Sequence, residues 1–273
     1  MLYLCATPIG NLEDMTFRAI RILREVNLIA AEDTRRTRKL LTHFDIHTPL
    51  IRFDENCKTA VGEKILQRLQ SGESVAIVSD AGLPAISDPG ADLVKLAIDA
   101  GIIVCPVPGA NAALSALICS GLDTTKFLFV GFPPKTKKNR RELLQKLSTI
   151  ETTIIFYEAP HRLKNFLVEL LEVFGERQAV LARELTKVHE EFLRGNLREL
   201  AEKIPEPLGE FVVLIEGATI SEPIDLPEEN ISEVVEKFLA QGLDKKTAMR
   251  ETAKRFNVSR REIYNALIKE DTQ

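Results

Sequence analysis

The chain has 273 residues, 45% of them hydrophobic, and a formal net charge of −4. That length allows about two domains and a large buried core. The charge excludes a molecule that is a polycation throughout, so any affinity for nucleic acid has to come from local patches.

The first apolar run, LYLCA at 2–6, reads as a buried strand. No basic segment precedes it, so no signal peptide is expected. TFRAIRILREV (16–26) reads as an amphipathic helix with Phe17, Ile20, Leu23 and Arg24 at steps of three and four. Further strands are expected at 27–33, 74–80 and 102–107. A helix at 91–100 lies between the last two, with Asp88 as a possible N-cap, Pro89 at its first position and Gly101 closing its end. This alternation predicts a mainly parallel sheet.

A second set begins with FLFVGF (127–132). Strands are expected at 152–158, 178–184, 189–195 and 210–217, and helices at 140–150 and 161–174. Only four residues separate 178–184 from 189–195, too few for a crossover helix. An antiparallel pair and a mixed sheet are therefore expected. SEPIDLPEEN (221–230) reads as a linker, and only helical patterns follow it. KKTAMRETAKRFNVSRREIYNALIK has the form of a helix-turn-helix, with Asn257 at the turn, Ser259 capping the second helix, and Arg260 and Arg261 at its start. Ala248 and Ala253 are small enough to let the helices approach, and Val258 and Ile263 suit the seam between them. The expected domains are 1–122, 123–220 and 221–273.

The four cysteines form no CxxC pair. Cys5, Cys105 and Cys119 sit in apolar runs, which points to a reducing cytosol. No apolar run reaches the ~18 residues of a membrane span. His43 and His47 are four apart without an HExxH glutamate, so they read as a solvated helix end and no metal site is expected.

Three Gly/Pro loops leave strand ends in the first set: TPIGN (7–11), SDAGLPAISDPG (79–90) and PVPGANAAL (106–114). Together they suggest one shared cleft. Singly, Asp88 and Asn111 are also ordinary helix caps. None of the loops matches GxGxxG or GxxxxGK[ST], which disfavours an ordinary dinucleotide or P-loop site. AEDTRRTRK (31–39) places Glu32 and Asp33 beside four basic residues. Either carboxylate is a candidate general base, and Arg35 a candidate phosphate fork. The same pattern also suits an exposed helix start. IFYEAPHR (155–162) offers Phe156 and Tyr157 for a flat ring and His161 or Arg162 for an anion, or else ordinary core aromatics with a Pro-initiated helix. KTKKNRRELLQK (135–146) has six Lys/Arg and one Glu, and residues 243–269 have eight Lys/Arg and three acids. Such runs are solvated faces unless a polyanion meets them.

TPIGNLEDMTFRAI, AEDTR, SDAGLPAISDPG, PGANAAL, FYEAPHR, ARELTK and GEFVVLIEG, in that order over residues 2–217, resemble the small-subunit ribosomal RNA methyltransferase I group. That group belongs to the tetrapyrrole methylase-like, class III, methyltransferases. Leu83 departs from the motif, which usually has Thr there. The resemblance implies two α/β domains with S-adenosylmethionine in the cleft between them, and a cytoplasmic homodimer. It implies that the acceptor is the ribose 2′-hydroxyl of a cytidine in the decoding region of 16S ribosomal RNA, free or in the small subunit. The donor would then meet Pro8, Ile9 and Gly10 of the first loop and Asp80, Ala81, Gly82, Leu83 and Pro84 of the second. Asn111, Ala112, Phe156, Tyr157, Leu185 and Gly209 complete that set. Asp33 or Glu32 would contact the hydroxyl while Arg35 holds a phosphate. Arg36, Lys137, Lys138, Arg140, Arg162, Arg260 and Arg261 are the candidate RNA contacts. Two other readings stand beside this one: a methyltransferase for a tetrapyrrole or other small molecule, and a nucleic-acid-binding regulator that senses a ligand in the cleft.

Overall fold

The computed structural model describes residues 1–203, 209–219 and 231–256, and residues 258, 263 and 267. The chain divides into two compact units, Met1–Ala218 and Thr219–Gln273.

The first unit opens with β1 (Leu2–Cys5), α1 (Phe17–Glu25), β2 (Leu28–Ala31), α2 (Thr34–His43), β3 (Leu50–Arg52), α3 (Lys58–Gln70), β4 (Val75–Val78), α4 (Ala91–Asp99), β5 (Val104–Val107) and α5 (Ala112–Ser120). The five strands form one parallel sheet in the order β3-β2-β4-β1-β5. β2 and β4 are buried at every position, as expected of strands covered by helices on both faces.

The unit continues with β6 (Phe127–Gly131), α6 (Lys137–Leu147), β7 (Thr153–Glu158), α7 (Pro160–Phe174), β8 (Gln178–Arg183), β9 (Glu191–Asn196), α8 (Leu197–Lys203) and β10 (Phe211–Ile215). This sheet is mixed, in the order β6-β7-β10-β8-β9. β6 runs parallel to β7, and β8 and β9 form the expected antiparallel pair. β10 is antiparallel to both β7 and β8. The ends of β6, β7 and β8 therefore lie along the same edge as the start of β10, which gathers residues distant in sequence. On one face of this sheet Ile154, Phe156, Leu181 and Val213 pack against α7 residues such as Phe166. On the other, Ile155, Val180 and Leu214 pack against Ala113, Ala116 and Leu117 of α5. α5, which follows β5 of the first sheet in the chain, thus packs on the second sheet.

Three expectations are corrected. α1 buries Ala19, Ile22 and Leu23, whereas Phe17 is 93% exposed. Thr16 caps the helix by accepting from the Ala19 N–H, which rotates Phe17 outward. α4 starts at Ala91 with Gly90 in the cap position, so Asp88 and Pro89 belong to the preceding turns. α6 starts at Lys137 rather than 140 and ends at Leu147.

The second unit contains α9 (Ile231–Ala240) and α10 (Lys245–Arg255). Asp244 caps α10 by accepting from the N–H groups of Lys246 and Thr247. Ala248, Ala253 and Ile263 are buried in one cluster with Val235 and Met249, and Val258 packs against it. The expected linker at 221–230, the Asn257 turn, the Ser259 cap, Arg260 and Arg261 lie outside the described residues.

Candidate active site

The first two loops after the parallel strands are tied together by their backbones. The Thr7 N–H donates to the Gly82 carbonyl at 2.9 Å, and the Gly82 N–H returns the bond at 3.1 Å. Gly82 has φ +82, a conformation that favours glycine. Within the second loop, Ala85 and Ser87 also hold positive φ, at 67° and 62°. Non-glycine residues there cost about 1–3 kcal/mol each, so the surroundings fix this loop's shape. Gly10 lies under the turn that follows β8. A Cβ there would come within 2.5 Å of the Lys187 side chain and 2.9 Å of the Leu185 carbonyl. The approach of the two sheets at this point depends on that missing atom.

Between the sheets lies a cavity of about 410 Å³. Ile9, Asp80, Ala81, Gly82, Leu83, Asn111, Ala112, Tyr157 and Leu185 of the expected donor set line it, with Glu32 and Arg36. Pro8 and Gly10 line an adjoining depression of about 320 Å³ that shares Ile9, Arg36, Asp80 and Ala81 with the cavity. Asn111 is held as the cap of α5, accepting from the Leu114 N–H at 2.9 Å. The Tyr157 hydroxyl accepts from the Ala113 N–H at 3.2 Å.

Three residues of the expected set do not line the space. Phe156 is fully buried on the opposite face of β7, edge-on to Phe166, because successive strand residues face opposite ways. Pro84 is buried within its loop. Gly209 lies beneath the Glu184 side chain and shapes the turn that presents Glu210.

Phe132, Glu158, Glu210 and Val212 also line the cavity and escaped the sequence reading. The signal was present: each sits at or beside an end of β6, β7 or β10 on the shared edge. Glu158 is only 2% exposed. Its Oε1 accepts from the Ala159 N–H at 2.8 Å. Oε2 has the Arg162 guanidinium at 3.2 Å but outside hydrogen-bond geometry. Burial raises the Glu158 pKa, opposed by the Ala159 bond and by Arg162.

The lining carries five carboxylates, Glu32, Asp80, Asp88, Glu158 and Glu210, against the one guanidinium of Arg36. Two of them are raised in pKa, by burial first and by their acidic neighbours second. Asp88 is pushed up to about 6, mainly by burial and then by the Asp80 charge. Glu32 is also raised, by burial first and then by Asp88 and Asp80. Asp33 behaves in the opposite way. Its Oδ1 caps α2 by accepting from the Arg35 N–H at 2.8 Å, and its Oδ2 accepts from Arg35 Nη2 at 2.9 Å. The side-chain bond from Arg35 holds Asp33 down at about 2. Asp33 does not line the cavity, while its N–H donates to Asp80 Oδ1 at 3.0 Å. Of the paired acids, Glu32 faces the space and Asp33 organises the helix start.

The candidate RNA contacts divide in the same manner. Lys137 and Lys138 are exposed on α6. Arg140 is corrected to a structural role: its side chain is 11% exposed and grips both Glu169 oxygens at 2.6 and 2.7 Å. Arg162 also turns inward, donating to the Pro133 carbonyl and pairing with Glu158. Arg36 reaches Asp80 Oδ2 at 3.2 Å. Among the described residues no cluster of His, Cys, Asp and Glu is arranged to hold a metal ion, and no helix is long and apolar enough to cross a membrane.

Residues 1–201 match the family model described as Tetrapyrrole (Corrin/Porphyrin) Methylases. The chain belongs to that family. It is 51% identical over 269 residues to the ribosomal RNA small subunit methyltransferase I of Halalkalibacterium halodurans, covering 97% of this chain and 93% of that protein. The protein of the same name from Bacillus subtilis is 48% identical, with the same coverage. Within the family, the chain is therefore a methyltransferase of the small-subunit methyltransferase I group. The fold is also shared with more distant solved structures. A diphthine synthase superposes with a TM-score of 0.60 at 14% identity, covering 80% of this chain and 90% of that one. The uroporphyrin-III C-methyltransferase of Thermus thermophilus, complexed with S-adenyl homocysteine, superposes with a TM-score of 0.57 at 17% identity, covering 78% and 96%.

Proposed function

We propose that the cavity binds S-adenosylmethionine and that the protein transfers its methyl group to the ribose 2′-hydroxyl of a cytidine in the decoding region of 16S ribosomal RNA. The observation that carries the donor assignment is the acidic lining: Asp80, Glu158 and Glu210 are paired with Arg36, Arg162 and Lys187, while Glu32 and Asp88, with no ion-pair partner among the described residues, are left to suit a sulfonium cation. The names of the relatives at 51% and 48% identity support ribosomal RNA of the small subunit as the acceptor.

Methyl transfer from a sulfonium is an in-line displacement in which the methyl carbon leaves sulfur as the acceptor oxygen attacks. Charge separation falls along the way, so alignment is the main requirement. On this reading the bonded pair of loops at Thr7 and Gly82 fixes the donor. Leu83 lines the cavity and adds an apolar contact, and its backbone remains available. Glu32, raised in pKa and facing the space, accepts the hydroxyl proton; of the two acids it suits that task better than Asp33. Residues 1–122 and 123–220 act as the two donor-binding domains, residues 221–273 as an RNA-contacting tail, and the chain works as a cytoplasmic homodimer. No metal ion is needed for the displacement.

The test is transfer of labelled methyl from S-adenosylmethionine to small ribosomal subunits and to naked small-subunit RNA, both from cells lacking the protein. Incorporation into either supports the reading. Donor binding without incorporation into any RNA shifts the acceptor to a small molecule such as a tetrapyrrole.

A further inference from the structure

α2 leaves the cavity mouth at Glu32 and Asp33 and carries Arg35, Arg36, Arg38, Lys39 and His43 with no acidic residue over its ten positions. Its length is about 15 Å. One side of the helix, through Arg36, Thr37, Lys39 and Leu40, walls the depression that adjoins the donor cavity. The other side, through Arg35, Arg38, Lys39, Thr42 and His43, lines a shallow open groove. Lys39 belongs to both, so the groove leads over the helix into the depression.

The cations on α2 are not equivalent. Arg35 is paired with Asp33 and Arg36 with Asp80. Arg38 and Lys39 are exposed, and among the described residues neither has a carboxylate within ion-pair distance. Like charges crowded on one helix face repel one another, so an unneutralised pair fits a surface that meets a polyanion. The basic run on α6 differs: no α6 residue lines the cavity or the depression, and Arg140 is consumed by Glu169.

We propose that the outer face of α2 is the track of the acceptor RNA strand, with Arg38 and Lys39 holding phosphates beside the nucleotide whose ribose passes by the depression to Glu32 in the adjoining cavity. This rests on the acceptor being RNA. A single strand fits better than a duplex, because a ribose delivered into a recess has to be splayed out of its stack.

The test compares the full-length protein, the Arg38→Ala/Lys39→Ala variant and a Lys137→Ala/Lys138→Ala variant on α6. Measured are affinity for naked small-subunit ribosomal RNA across a salt series, KM for that RNA, donor affinity, and sedimentation. Loss of two phosphate contacts from a single strand lowers the slope of log K against log salt by about 1.4. The α2 variant is expected to show that loss and at least a tenfold higher KM for RNA, with donor affinity kept and a smaller change in the α6 variant. An unchanged slope and KM in the α2 variant overturns the proposal. So does a changed oligomeric state with an unchanged slope, which would make this face a contact between copies of the chain. If the unmodified protein methylates no RNA, the underlying acceptor assignment fails instead, whatever the variants do.

Discussion

Thr7 and Gly82 exchange two backbone hydrogen bonds, at 2.9 and 3.1 Å, and so join the loop after β1 to the loop after β4. The bridge holds where it does because Gly82 adopts φ +82 with the Ile9 side chain 3.3 Å from where a Cβ would stand. Gly82→Ala adds a left-handed penalty of about 1–2 kcal/mol and a tight contact. Because Gly82 also lines the cavity, we expect donor affinity to fall about tenfold, measured by calorimetric titration, with the fold retained by circular dichroism.

Glu32 and Asp33 are neighbours in sequence with opposite environments, and mutation should separate them. Glu32→Gln is expected to reduce turnover by about 10²-fold or more, the range for loss of a general base. Asp33→Asn keeps a side-chain oxygen able to cap α2, and turnover should stay within a few-fold. Single-turnover rates at saturating donor decide between them.

Asp88 makes a pH prediction. Its folded pKa of about 6 lies above its ordinary value of 3.8, so the folded state binds this proton more tightly than the unfolded chain does. The contribution of Asp88 is therefore most favourable below pH 4 and is lost as pH rises through about 6. At neutral pH the ionised side chain costs on the order of 2 kcal/mol. Asp88→Asn should raise stability in urea at pH 7.5 and flatten the dependence between pH 4 and 6. A variant as pH-dependent as the parent would place the repulsion elsewhere in the cluster.

Arg140 and Glu169 form a mostly buried, two-pronged pair that ties α6 to α7. Arg140→Met leaves the Glu169 carboxylate without its partner and should cost about 3 kcal/mol of stability in urea unfolding. If Arg140 were instead a surface phosphate ligand, stability would change by less than about 0.5 kcal/mol.

The alternation of apolar runs and helical periods carried most of the fold into view, including the antiparallel β8–β9 pair, which followed from a connection too short for a helix. Three elements were missed: β3 has three residues and α8 seven, while α3 has thirteen but buries only Gly62, Ile65 and Leu69, too sparse an apolar stripe to stand out. The site was legible where glycine and proline marked a loop, as at Gly10 and Gly82. It was not legible where one strand position decides between core and cavity. Phe156 and Tyr157 are adjacent aromatics, and only the register of β7 with β10 turns the second toward the cavity. Arg140 illustrates the same limit for charge. It sits in a basic run, but its partner Glu169 lies 29 residues away on another helix, and no local pattern reports that pairing.

The most direct measurement locates the methyl group. Small-subunit RNA labelled by this protein from S-adenosylmethionine would be hydrolysed in alkali and, separately, digested to nucleosides. Methylation of the ribose oxygen removes the hydroxyl that attacks the adjacent phosphate. One alkali-resistant linkage in the decoding region and label in a ribose-methylated cytidine are therefore expected. Label recovered on a base, with every linkage cleaved by alkali, would contradict it.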